Sequence, residues 1–423
     1  MYNINKNIEK DRITIGRYTE SKIENIVVKL PEDLEIKEFV KGISFISEDI
    51  ISYRINNHEL ILKCEILNEE HRRKLIEKAE LNISQFISTK KYLDIKYDSA
   101  EEENNEDDNS LEYLERRIPC NEIMSGSNII QYEDGVIGFA GGAAKLFNYF
   151  DSVFKGFADK IGAEEEKYPV LLPLKTLDDT GYLKTSPQYQ MFCEKMPEDM
   201  EELQKIYMND SQIQEKKENL GKVICALSPS ACFHVYERYR NINLNEPKSV
   251  TLLQNVFRNE GRFGWKEFGR LKDYHVREVV FIGDVTYVEQ ARKKIMEMTK
   301  CFMKKIKLSG RIVRSSDCFM IPQMQKYKLI QLKRKSKYEV CLEYRKENRM
   351  EEMAAGSFNF HGNTFTYPFH IKVEGKKQET DDTVTGCVGF GIERWVLCFL
   401  SRYGECEKNW PEEVRKEIYE EVL

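Results

Sequence analysis

A chain of 423 residues has room for two or three domains and a large core. Its 32% charged residues and formal net charge of −6 argue against a free-standing nucleic-acid binder, which normally carries a basic surplus, and leave only a local basic patch open. Eleven cysteines, an odd number and unevenly spaced, do not read as a disulfide framework in a chain this size. No apolar run reaches membrane-spanning length and MYNINKNIEKDR has no signal-peptide stretch, so a cytoplasmic location with reduced thiols is expected.

Residues Ile23 to Asp98 read as one small unit. IENIVVKL is β-prone, DLEIKEFVKGI has helical spacing, and DIISYRI and HELILKCEI are strands joined at Asn56-Asn57, a hairpin signal. Asn68 caps the helical NEEHRRKLIEKAELNISQFIS, and KKYLDIKYD reads as a closing strand, so the order β-α-β-β-α-β predicts a ferredoxin-like domain. AEEENNEDDNS (Ala100 to Ser110) is a solvated acidic run. The expected division is a small α/β domain over 1–98, a linker over 99–112 and a larger domain over 113–423.

In the larger part, Leu146, Phe147, Phe150, Val153, Phe154, Phe157 and Ile161 form a helical stripe that needs a buried surface. YPVLLPLKTL follows, with Pro169 and Pro173, as an edge strand. VICALSPSACFHVYERYRNI is a strand, loop and helix; SVTLLQNVFRNE and LKDYHVREVVFIGD alternate as an antiparallel pair; VTYVEQARKKIMEMTKCFMKKIKL is a long amphipathic helix. In TGCVGFGIERWVLCFL, Gly386, Gly389 and Gly391 let backbone approach a ligand closely, and the helix start beyond them favours an anion. Arg258 and Glu260 share one strand face, which by itself suits a surface ion pair as well as a site.

FRNE (Phe257 to Glu260), the glycine-rich GRFGWKEFGR, RLKDYHVREVVFIGD and then TGCVGFGIERWVLCFL resemble motifs 2 and 3 of the class II aminoacyl-tRNA synthetases. The stripe and proline-bearing strand resemble motif 1, which lies at a dimer interface in that family, so a homodimer is implied. The resemblance spans about residues 120 to 410 and leaves out the amino-terminal unit. It implies an α+β fold, an antiparallel sheet flanked by helices, that binds ATP and Mg2+. Arg258 would then meet the α-phosphate, whose charge grows during adenylate formation. Glu260 would accept from the adenine amino group, and Tyr274 would stack on the base. Arg394 would cover the other face of the base and meet the γ-phosphate. Arg270 is a further phosphate contact and Glu352 a magnesium ligand.

LSPSACFHVYE, SFNFHGNTFTYPF and SSDCF narrow the likeness to the amino acid:carrier-protein ligases and the atypical zinc-dependent seryl-tRNA synthetases, with Cys318 where that group has proline. The narrower resemblance implies zinc on Cys232, Glu278 and Cys387, taking the substrate's α-amino group, with Asn359 on the amino-acid side. Their spacing alone carries no metal signature, and buried cysteines are usually small hydrophobes. His361 reads as a hydrogen-bonded structural histidine. The function so implied is activation of a small amino acid (glycine, alanine or serine) as its adenylate, with transfer to the phosphopantetheine thiol of a carrier protein. The alternatives are a seryl-like synthetase charging tRNA, and a non-catalytic amino-acid sensor, which the persistence of Arg258, Glu260 and Arg394 disfavours.

Overall fold

The computed structural model describes residues 21–34, 36–93, 117–208, 222–320, 324–374 and 383–420. The chain divides into two compact units, one ending at Lys90 and the other beginning at Lys91. In the first, β1 (Lys22–Lys29), α1 (Ile36–Ile43), β2 (Ile50–Asn56), β3 (Glu59–Ile66) and α2 (Glu69–Leu93) follow in order. β3 lies between β1 and β2 and is antiparallel to both, the split βαβ arrangement. Ile26, Val28, Leu60, Leu62 and Cys64 are buried while the residues between them on β1 face outward, the period-2 signature of a half-covered sheet. The expected closing strand differs. Lys90 to Leu93 continue α2, and residues 94–98 lie outside the described residues.

The second unit is built on seven strands. In chain order it contains α3 (Gly141–Asp159), β4 (Glu164–Glu165), β5 (Leu171–Leu172), β6 (Met191–Glu194), β7 (Val223–Leu227) and α4 (Cys232–Arg238). It continues through β8 (Lys248–Phe257), β9 (Asp273–Gly283), α5 (Val285–Lys305), β10 (Gly310–Arg314), β11 (Lys337–Lys346), β12 (Arg349–Gly362), β13 (Val384–Gly391) and α6 (Ile392–Tyr403). The large sheet runs β10-β11-β12-β13-β9-β8-β4, antiparallel throughout except where β4 lies parallel to β8.

Two faces of this sheet serve two ends. Val279, Phe281, Phe358, Val388 and Phe390 point into one core with α3, α5 and α6. There Phe154 of α3 stacks on Phe390 of β13, ring centroids 4.0 Å apart. Each such buried ring contributes roughly 1.5–3 kcal/mol, which holds the helices to this face. The alternate residues Tyr274, Val276, Val280, Ile282 and Cys387 point the other way, toward α4. The functional face is therefore fixed by strand parity.

One expected strand is much reduced. Of YPVLLPLKTL only Leu171 and Leu172 pair, and they pair with β7 in a small sheet of order β5-β7-β6. Pro169 and Pro173 bracket them without N–H donors, so the ladder cannot extend. The edge of the large sheet is Glu164–Glu165 instead. No helix among the described residues is long and apolar enough to cross a membrane.

Candidate functional site

The antiparallel register assembles the site. Across the sheet, Lys337, Asn359, Cys387 and Val280 form one row, and Glu339, Ser357, Gly389, Glu278 and Leu252 form the next. Cys387 and Glu278 thus stand diagonally on neighbouring strands, facing the same side. The loop after β7 bends the chain into α4 and delivers Cys232 above them. The donor atoms of Cys232, Glu278 and Cys387 all lie within 4.8 Å of one another, and all three residues are buried.

Gly389 makes room for this group. A Cβ there would fall 2.7 Å from Oε2 of Glu278, inside contact distance. The glycines read as a ligand cradle also have a packing duty. They lie within β13, paired on both sides, and Gly389 admits Glu278 while Gly391 lies under the ring of Tyr274, 3.5 Å from where a Cβ would be.

Burial pushes the Glu278 carboxyl up, against the pull of Cys387 and Arg258. Cys387 is pushed well up by its hydrogen bond with Cys232, by burial, and by Glu278. Two thiols and a carboxylate buried in contact repel once ionised, and a divalent cation relieves that repulsion. The donor set fits zinc, which takes sulfur and oxygen ligands and keeps a fourth position open in catalytic sites. Asn359 donates to Ser357 Oγ at 3.0 Å and to Cys387 Sγ at 3.5 Å, so it stands beside this group as expected.

The second cluster is cationic and aromatic. Arg258, just past β8, donates from Nε to the Pro229 carbonyl at 3.0 Å, and its guanidinium lies 5.8 Å from the Tyr274 ring centroid. Arg394, in the first turn of α6, donates to the carbonyls of Gly269 and Ala354, both at 2.9 Å. Its Nη2 is buried without a hydrogen-bond partner, 3.9 Å from Glu260. Gly269, with φ of +72°, suits this turn: a Cβ would meet Met353 Sδ at 2.0 Å. Glu260 accepts from Arg270 at 3.0 Å. Glu393, beside Arg394, is structural: it accepts twice from the His275 backbone N–H, at 3.0 and 2.9 Å, tying α6 to β9.

Two of the expected site residues are engaged with other groups in this structure. Arg394 lies only 4.9 Å from the Tyr274 centroid. A base stacked between two layers needs ~7 Å, so the guanidinium must withdraw about 2 Å before adenine fits there. Glu352 stands two residues from Ala354, and its carboxylate is held by Arg311 at 2.8 and 2.9 Å on an exposed edge.

The sequence reading missed a polar network flanking Asn359. Lys337, its cross-strand neighbour, binds Asp317 at 2.6 Å and Glu339 at 3.2 Å. Gln331 and Ser315 complete it, at 2.7 Å each. Burial would raise Asp317, but Lys337 outweighs it and draws the carboxyl down to about 2. Asp317 lies in the SSDCF segment, so that segment's likeness was the available signal.

Comparison with known proteins gives the fold its context. No family profile matches the chain. The seryl-tRNA synthetase of M. kandleri, solved with A. aeolicus tRNASec, superposes with a TM-score of 0.65 at 21% identity, covering 94% of this chain and 77% of that one. The cytoplasmic serine-tRNA ligase of Naegleria fowleri, solved with AMP, gives 0.51 at 12% identity over 73% of this chain and 65% of its own. The fold is that of the class II aminoacyl-tRNA synthetases. In sequence, the chain is similar to the type-2 serine–tRNA ligase of Methanopyrus kandleri, 27% identical over 295 residues, 66% of this chain and 55% of that protein. The Methanocaldococcus jannaschii counterpart is 29% identical over 275 residues, 61% of this chain and 51% of its own. The amino acid–[acyl-carrier-protein] ligase 1 of Bradyrhizobium diazoefficiens is 25% identical over 257 residues, 60% of this chain and 76% of its own. The chain spans about half the length of the type-2 ligases it matches.

Proposed function

We propose that this chain activates a small amino acid with ATP as an aminoacyl-adenylate and passes the aminoacyl group to tRNA. The observation that carries the activation step is the convergence of two groups on one face of an antiparallel sheet. One is the acidic donor set Cys232, Glu278 and Cys387; the other is the cationic pair Arg258 and Arg394 around Tyr274, with Arg270 joined to it through Glu260.

In this reading Cys232, Glu278 and Cys387 hold zinc, which would supply a Lewis-acid anchor for the substrate's amino group. The amino-acid carboxylate oxygen attacks the α-phosphorus and pyrophosphate leaves, so no general base is required. Arg258, anchored through Nε to Pro229, keeps its other nitrogens for the α-phosphate, where charge accumulates. Arg394 offers Nη2 to the γ-phosphate, and magnesium accompanies ATP, with Glu352 free to serve only after releasing Arg311.

For the acceptor, the tRNA alternative has better support than the carrier protein. The similar curated proteins at 27–29% identity are named serine–tRNA ligases. The likeness to the tRNA-bound M. kandleri enzyme spans 94% of this chain, so it cannot be confined to the larger unit. The carrier-protein reading keeps one observation of its own, since that ligase is matched over 76% of its length. Serine leads glycine and alanine as substrate on the same grounds, and the motif 1 likeness makes a homodimer the expected assembly, which sedimentation tests.

The deciding assay is amino-acid-dependent ATP–pyrophosphate exchange, with and without a zinc chelator, followed by transfer of the labelled amino acid to tRNA or to a phosphopantetheinylated carrier protein. Serine-dependent exchange lost on chelation, with label on tRNA, is expected. Absence of exchange from folded, metal-loaded protein would leave the sensor reading in its place.

A further inference from the structure

His361 stands against the donor set without being part of it. Its Nε2 lies 3.7 Å from Cys387 Sγ, yet the compact group of donor atoms comprises only Cys232, Glu278 and Cys387. Its Nδ1 lies 3.2 Å from the Tyr236 hydroxyl and 3.4 Å from Thr385 Oγ1. Tyr236 is fully buried and lies one turn beyond Cys232 on the same face of α4. Phe365 packs edge-on against the imidazole at 5.0 Å, which restrains ring rotation. Polar contacts therefore run from the Tyr236 and Thr385 hydroxyls through His361 to Cys387.

Resting on the zinc reading above, we propose that His361 is a positioning residue that orients Cys387 as a ligand, with the Tyr236 and Thr385 hydroxyls setting its tautomer. The surroundings suit one assignment. A ligating thiolate only accepts, while Tyr236 and Thr385 can both donate. In the neutral tautomer with its proton on Nε2, Nδ1 accepts from a hydroxyl and Nε2–H points at Cys387 Sγ. Such a bond fixes the ligand's direction and tempers its donor strength, the outer-shell role that metal ligands commonly receive. Direct ligation is the competing arrangement. It would close the fourth position and leave no place for a substrate amino group.

The test uses the full chain and its His361→Leu and His361→Gln variants, loaded with Zn2+ or Co2+. Glutamine can still place an N–H toward the sulfur, whereas leucine cannot. Expected are one zinc per wild-type chain, about 10- to 100-fold weaker zinc binding in His361→Leu by chelator competition, and a thiolate-to-cobalt charge-transfer band moved to lower energy. Recovery of both in His361→Gln is also expected, and that variant is informative even if the leucine protein fails to fold. Unchanged affinity and band in His361→Leu, with one zinc still bound, overturns the positioning role and leaves the zinc reading standing. X-ray absorption showing an imidazole ligand in wild type that disappears in His361→Leu overturns it in favour of direct ligation. A wild-type chain that takes up no metal removes the zinc reading and this proposal together.

Discussion

Gly389→Ala puts the smallest possible obstacle against the Glu278 carboxylate. The added Cβ would fall 2.7 Å from Glu278 Oε2 and 3.1 Å from Val276 Cγ1. Overpacking of this kind costs roughly 1–3 kcal/mol, and replacing a strand glycine by alanine returns ~0.5–1 kcal/mol, so the fold should weaken by no more than about 2.5 kcal/mol. The carboxylate is the movable atom set, and turning it aside removes it from Cys387 and Cys232. Zinc affinity should therefore drop at least about tenfold, out of proportion to the loss of stability. Gly386→Ala is the matched control. Its Cβ would meet the Asn359 backbone oxygen and Val288 Cγ1, both at 2.7 Å. A ladder carbonyl cannot rotate away, so this variant should lose more stability and less zinc affinity per unit of stability lost. Chelator competition and urea unfolding on both proteins read the two effects separately. If Gly389→Ala holds zinc as tightly as wild type, Glu278 is not where the metal is bound.

Other outcomes follow from the same geometry. Arg258→Ala should lower ATP–pyrophosphate exchange by ~10²-fold or more while leaving the unfolding transition in place, because it removes charge stabilisation at the α-phosphate; unchanged exchange would take Arg258 out of the mechanism. Cys232→Ser should strip zinc and raise KM for the amino acid more than for ATP, and stoichiometric zinc in that variant would mean that another residue is the ligand. Asp317 is drawn down from 3.8 to about 2 in the fold, so its contribution is present above about pH 4 and fades as pH falls toward 2. Asp317→Asn should therefore lose stability at pH 6 and show a flatter decline between pH 4 and pH 2; parallel pH profiles from urea midpoints would contradict the Lys337 pairing.

Much of the larger unit was legible because its determinants are local. The helical stripe from Leu146 to Phe157, the alternation of SVTLLQNVFRNE and LKDYHVREVVFIGD, and the Asp284-capped helix beyond them each follow from period and capping within a few residues. The motif resemblance then brought Arg258, Tyr274 and Arg394 together before any coordinates, and the structure finds them around one ring.

Tertiary structure decided what depends on pairing between distant strands. Nothing local places Glu278 beside Gly389 or Lys337 beside Asn359; that comes from register across β11, β12, β13 and β9. A shift of one residue would turn Cys387 into the core of Phe154 and Trp395 and bring Val388 to the site face. The two-residue β5, the parallel edge strand β4 and the buried Asp317–Lys337–Glu339 network are likewise long-range results. By itself the sequence determined the elements and the chemistry available to them. Only the closing of the sheet determined which thiols, carboxylates and guanidinium groups meet, because side-chain parity acts on whole strands at once.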